Sequence, residues 1–217
     1  MRLFALLAAL SLFVAACAQS PSSAPSTATT ALSASVNPAR IERVRTDLPS
    51  GYEVAALSGR AAPVAFWGLG PEWAADPPRC GALADPVADA ATARGWSASG
   101  AGGIVYAVVA GSRATLDPSL IDECGQWTVS AGHASGSVTI AAAPTIDGAA
   151  TVGLSTTTTT TVEGGTETHS DADTFTAHLG DYVVFVTVVS DPGAPNPALG
   201  QDFAADLLVK TVSALRG

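Results

Sequence analysis

The sequence predicts an α+β fold: a twisted, largely antiparallel sheet with a few helices, the C-terminal amphipathic helix packed on the sheet. Three observations carry this. Residues 137–189 are dense in Thr and Val with Gly turns between, the composition of strands on a pleated, half-buried surface. Tyr182 to Val189 is apolar at both alternating positions, as a central strand covered on each side would be. Residues 201–216 place Ala204, Leu208, Val212 and Leu215 on one helical stripe, with Asp202, Asp206 and Lys210 elsewhere, so this helix has one face to bury.

The amino end reads as an export signal. Arg2 precedes an almost unbroken apolar run, Leu3 to Val14, too short for the ~20 apolar residues that span ~30 Å of hydrocarbon but suited to the core of a secretory signal. Val14-Ala15-Ala16-Cys17 follows at once and resembles the bacterial lipobox. Small residues before the cysteine let the chain enter a signal peptidase extended, and the Cys17 thiol would take the diacylglyceryl group. The expected organisation is a signal peptide over 1–16, a lipidated Cys17 with a flexible stalk over 17–36, and one globular domain over 37–217. The location this implies is the outer face of the cell membrane, with the lipid as anchor. The alternative is an ordinary signal cut after an A-x-A-like site, with Cys17 incidental.

Residues 18–36 are Ser, Thr, Ala and Pro with scattered Gln, Leu and Val and no charge, too poor in buriable surface to offset the entropy of ordering. Asn37-Pro38 then suits the cap and first position of a short helix through Val44. Leu48-Pro49-Ser50-Gly51 turns the chain into a strand over 52–57, and the apolar run Pro63 to Gly68 reads as another. A helix is expected around Pro86 to Ala93. Strands at 96–99 and 104–110 flank Gly100-Ala101-Gly102-Gly103, a helical turn runs from Asp117-Pro118 to Cys124, and a strand starts at Trp127. Strands over 137–142, 149–162 and 166–178 follow. The second contains six consecutive threonines, Thr156 to Thr161, whose branching at Cβ stiffens χ1 in favour of a strand. Gly164-Gly165 is the expected hairpin turn, and the proline-rich 191–200 is a loop.

Charge and cysteine usage bound the function. The chain carries ten basic against nineteen acidic residues, and Lys210 is the only lysine. Such a surface repels phosphate backbones and lacks the polybasic patch that would hold it flat on anionic lipid, so no nucleic-acid partner is expected. With Cys17 committed to lipid, Cys80 and Cys124 form an even pair. Its default in an exported domain is a disulfide, worth roughly 4 kcal/mol for a loop of about 45 residues in the chain-entropy treatment. Two free buried thiols are the alternative.

The segments LPSGYEVAALSGRAAPVAFWG (48–68), EWAADPPRCGAL (72–83), GWSASGAGGIVYAVVA (95–110) and GDYVVFVTVVSDPG (180–193) resemble a family of mycobacterial lipoprotein domains of unassigned function. More distantly they resemble the extracellular sensor domain of PknH-type serine/threonine kinases. The resemblance covers about 42–216 and implies an α+β domain with a twisted antiparallel sheet, a cleft and disulfides. It implies no catalytic residue.

Three constellations are candidates for chemistry. Gly95-Trp96-Ser97-Ala98-Ser99 approaches the nucleophile elbow G-x-S-x-G but ends in Ser99, where the sharp turn needs glycine. His169, Asp171 and Asp173 would share one face of a strand, a row that could touch a cation or simply face water. Trp67, Trp73, Trp96 and Trp127, with Phe66 and Tyr106, all lie between residues 66 and 127. They either fill core around the disulfide or line a cleft for a lipid tail, a sugar face or a peptide, and Trp73, in a Pro/Gly/Asp-rich stretch, is the one expected to be exposed. The reading is a non-enzymatic binding or sensing lipoprotein with no metal or cofactor, whose partners are the membrane, through its lipid, and a lipid, glycan or envelope-protein ligand. An envelope hydrolase and a partner-binding structural lipoprotein are the alternatives.

Overall fold

The computed structural model describes residues 35–57, 62–87, 89–112 and 115–217. The expected signal peptide, Cys17 and all but the last two stalk residues lie outside them. Nine strands form one sheet: β1 (Glu53–Ala56), β2 (Ala74–Asp76), β3 (Asp89–Gly100), β4 (Gly103–Gly111), β5 (Gln126–Ala131), β6 (Ala134–Ala141), β7 (Ala150–Thr161), β8 (Glu167–Leu179) and β9 (Tyr182–Ser190). The order is β1-β3-β4-β9-β8-β7-β6-β5-β2, and the neighbours pair antiparallel. Strands β5 to β9 are a meander, joined by short turns except for the longer segment 142–149 between β6 and β7. At Gly164-Gly165 both residues take positive φ, 89° and 80°, the handedness that matches a twisted hairpin. The edge strands β1 and β2 are only four and three residues long, which limits the unpaired backbone exposed for pairing with another chain.

One face of the sheet lies under α3 (Gly200–Arg216). The expected stripe of Ala204, Leu208, Val212 and Leu215 is buried, widened by Leu207 and Thr211. It packs with Phe175, Ala177, Val184 and Val186 of the sheet, so the molecule is α+β with its terminal helix docked. Beside α3 runs a 3₁₀ helix, Pro38–Asp47, whose Asn37 side chain accepts from the Ala39 amide at 3.1 Å. It buries Ile41 and Val44 in the same cluster.

The opposite face is covered by irregular chain: 3₁₀ turns at Pro63–Phe66 and Pro78–Cys80, and the short helices α1 (Gly81–Ala84) and α2 (Ser119–Glu123). Cys80 and Cys124 are joined as a disulfide, with their Cα atoms 5.7 Å apart. This staples the α1 segment to the end of α2 above Trp127, Val129, Val138 and Leu154.

Two expectations are corrected. Pro63 to Gly68 is not a strand but a 3₁₀ turn lying on the sheet; periodicity cannot tell so short an apolar run from a buried turn. Pro86 to Ala93 is not a helix, because β3 begins at Asp89 despite the helix-favouring alanines. The cause is tertiary pairing with β4 across a bulge between Asp89 and Arg94. There Thr92 Oγ1 accepts from the Gly111 amide and donates to the Asp89 carbonyl, both at 2.7 Å, replacing ladder bonds that the bulge interrupts.

Candidate functional site

The four tryptophans do not form one cluster. Trp96, fully buried, points to the α3 face and donates its indole N–H to the Ile41 carbonyl at 3.0 Å. It is core, and its expected place in a cleft is corrected: its strand register puts it beside Ala98, Val105 and Ala107, beneath the terminal helix. Trp67 and Trp127, 0% and 2% exposed, are core on the other face, with rings tilted 57° at 6.4 Å. Trp73 alone is half-buried.

The buried pair positions what lies above it. Trp67 Nε1 donates to Thr174 Oγ1 at 3.1 Å, and that hydroxyl bonds Thr187 Oγ1 at 2.9 Å. Desolvated polar groups of this kind are costly to unpair, so the chain pins the Pro63–Phe66 turn to strands β8 and β9. Phe66, next to Trp67, then stacks on Tyr106 of β4 with centroids 3.9 Å apart and planes at 18°, and lies 6.1 Å from the buried Phe185. Phe66 and Tyr106 are both half-buried. Burial raises the Tyr106 phenol above its ordinary value, keeping it a protonated donor at neutral pH.

Trp73 completes the rim. Its indole lies over Gly81: a Cβ placed there would meet Trp73 Cη2 at 3.2 Å and Ala75 Cβ at 3.4 Å, so the bare backbone of α1 is what lets the ring settle. Between Trp73 and Phe66, with Val64, Leu69 and Pro71, is a cleft of about 280 Å³. Its side chains are apolar and uncharged, backbone polar groups share the exposed lining, and the half-buried indole and phenyl faces suit hydrocarbon or the CH face of a sugar.

The remaining constellations do not converge on chemistry. Ser97 lies mid-strand in β3, paired with Tyr106 and Ala55. Gly95 serves close backbone approach rather than an elbow, since a Cβ there would be 2.2 Å from the Ala107 carbonyl oxygen. His169, Asp171 and Asp173 do share a face of β8. Each is taken up by a hydroxyl of β7: Thr159 to His169 Nδ1 at 3.1 Å, Thr157 to Asp171 at 2.9 Å and Ser155 to Asp173 at 2.6 Å. Successive side chains on one strand face stand ~7 Å apart, and among the described residues no three His, Cys, Asp or Glu come together to hold a metal. Burial pushes the Asp173 carboxyl above its usual value, against the Ser155 hydrogen bond and with a lesser push from Asp171. A wider groove of about 500 Å³ runs between α3 and residues 145–147. There Arg216 is spent on the Asp147 and Gly148 carbonyls.

Sequence reasoning missed Leu69 and Pro71 as walls, and Ile104 and Val189, which carry the apolar strip further along the same face. Only strand register shows that these last two are neighbours.

Residues 37–216 match the profile of DUF5642, a domain of unknown function. The chain belongs to that family. Among curated proteins none matches. Among solved structures, it is similar in fold to an uncharacterized protein (Rv0999 ortholog) of Mycobacterium smegmatis, with a TM-score of 0.62 and 20% identity, over 85% of this chain and 100% of that one. DUF5642 carries no catalytic assignment to transfer.

Proposed function

We propose that this DUF5642 protein is an exported lipoprotein, held at the outer face of the cell membrane by acyl groups on Cys17. Its domain is a non-enzymatic receptor or sensor for an apolar or amphipathic envelope molecule. The distant kinship with PknH-type kinase sensors belongs to the same proposal. The observation that carries the ligand reading is the Phe66–Tyr106 stack left half-buried beside Trp73, above a fully packed layer. Aromatic rings of this size ordinarily bury 150–250 Å² each, so two partly wet rings in the cleft, Phe66 and Trp73, with Tyr106 stacked against Phe66, form a surface with something to cover. The acidic, lysine-poor chain disfavours anionic polymers, and the side chains lining the cleft are apolar and uncharged.

The test is a fluorescence titration of the full chain carrying Cys17→Ser with octanol, repeated in Trp73→Ala. Loss of an aromatic anchor that closes a pocket costs about 2 kcal/mol, or roughly thirtyfold in affinity. Because Trp73 is the half-buried indole, acrylamide should quench one component of four, and octanol should protect it. Unchanged octanol affinity in Trp73→Ala would remove the cleft as the site. The anchor is tested separately, by mass spectrometry of envelope-extracted protein: an unmodified Cys17 would end the lipoprotein reading.

A further inference from the structure

We infer that the molecule received in this cleft is an uncharged amphiphile, whose polyhydroxylated head group sits in a second cavity at the β3–β4 turn. The inference rests on the ligand reading above and adds the chemistry of the head. This cavity, about 270 Å³, lies between the Gly100–Gly103 turn, the end of β9 and the loop 191–198. Its floor is apolar: Ile104 and Val189 are cross-strand partners, and Ser99 pairs with Ile104 in the same row. Ile104 is 38% exposed. Tyr106, two residues along β4 from Ile104, faces the same way. The Phe66–Tyr106 stack therefore begins ~7 Å from the cavity floor, one strand repeat away. The two cavities flank that stack on one face of the sheet.

The rim selects the head. Around the apolar floor the lining includes Ser99 and Ser170, which share the face of Ile104 and Val189, with Asn196 and Asp191 from the loop and no Lys, Arg or His. A phosphate, sulfate or carboxylate head would meet Asp191 with no cation to balance it, and desolvating such a charge unpaired is costly. A quaternary ammonium is ordinarily held by aromatic faces, and none lines this cavity. A sugar-like ring fits both halves. Its hydroxyls donate to Asp191 and accept from serines and Asn196, while its CH face rests on Ile104 and Val189. The volume is below the ~300 Å³ at which pockets for whole drug-sized ligands begin, which suits a single ring with its chain running out over the aromatics.

The cavity is held in shape. The Gly102 amide donates to the Tyr52 hydroxyl at 3.1 Å, the Gly102 carbonyl accepts from the Leu199 amide at 3.0 Å, and Asp191 accepts from the Gly193 amide at 2.7 Å. A Cβ at position 100 would be 2.6 Å from the Tyr52 ring, so glycine is what lets Tyr52 brace the turn. A site held this way loses little on ordering when it binds.

The experiment is calorimetric titration of the full chain carrying Cys17→Ser with octyl glucoside, octyl phosphate, octyltrimethylammonium, octanol and methyl glucoside, each below any micelle concentration. Octyl glucoside should bind roughly tenfold more tightly, about 1.4 kcal/mol, than the phosphate or the ammonium. It should also bind several-fold more tightly than octanol, and methyl glucoside should bind far more weakly. A Ser170→Ala/Asn196→Ala variant should lose the advantage of glucoside over octanol and keep its octanol affinity. If all four octyl compounds bind alike, the head pocket is refuted while the cleft stands. If methyl glucoside matches octyl glucoside, the coupling of head to chain is refuted. If no octyl compound binds, the cleft fails and the head pocket with it.

Discussion

The two faces of the sheet are covered by opposite means. On one face α3 supplies a continuous apolar stripe, extended by Ile41 and Val44 of the 3₁₀ helix, and Phe175, Val184 and Val186 beneath it are shut from water. The other face is roofed by turns, two helices of four and five residues, and a disulfide. It leaves Phe66, Trp73 and Tyr106 half-buried and two cavities open. A helix repeats its apolar face every turn and can seal a surface several strands wide. Irregular chain cannot, so it needs a covalent staple and leaves gaps. Stability should therefore reside on the α3 face, and ligand recognition on the stapled one.

The largest effect expected is on the helix-covered face. Phe175→Ala, at a site with 0% exposure in the α3 cluster, should cost about 3–5 kcal/mol by equilibrium urea unfolding, with octanol affinity unchanged wherever the protein is folded. A loss well under 2 kcal/mol would show that this face is not the main source of stability. Opening the staple comes next. Cys80→Ser/Cys124→Ser should lower stability by about 2–4 kcal/mol. It should also weaken octanol binding, because Gly81 and the Trp73 ring resting over it adjoin Cys80. Full retention of octanol affinity would separate the staple from the site.

The smallest effect lies on the water-facing part of the α3 side, where Asp173 is half-buried. Its raised carboxyl means that the folded protein holds this proton at pH values where the unfolded chain has lost it. Stability then falls as pH rises from the ordinary Asp range, ~3.9, through the raised folded value. Asp173→Asn should raise Tm modestly at pH 7, and the gain should vanish below pH ~4. A gain that persists unchanged in acid would assign the effect to something other than ionisation.

How much was legible in the chain follows the same division. Thr156 to Thr161, the apolar Tyr182 to Val189 and the stripe from Ala204 to Leu215 announce their structures because each satisfies a local period. Cys80 with Cys124 could be paired by parity. Pro63 to Gly68 and Pro86 to Ala93 depart from their local patterns because their conformations are set from outside, by the Trp67–Thr174–Thr187 bonds and by the pairing of β3 with β4 across its bulge. Trp73 is half-buried, as its Pro/Gly/Asp-rich stretch suggested, whereas composition could not separate Trp96 from it. Which face an indole takes depends on a register shared with strands distant in sequence, and Trp96 and Trp67 fall on opposite sides. Ile104 and Val189 needed that register too, and the turn Gly100 to Gly103 showed in the sequence only as a flexible spacer.

The most direct test of the division is backbone-amide NMR of the oxidised full chain carrying Cys17→Ser during titration with octyl glucoside. The account predicts saturable shifts at residues 64–73, at 104–106 and at 189–191, with α3 and residues 96–98 undisturbed. Shifts gathered along α3 or its groove at residues 145–147, with the Phe66–Trp73 segment unmoved, would contradict it.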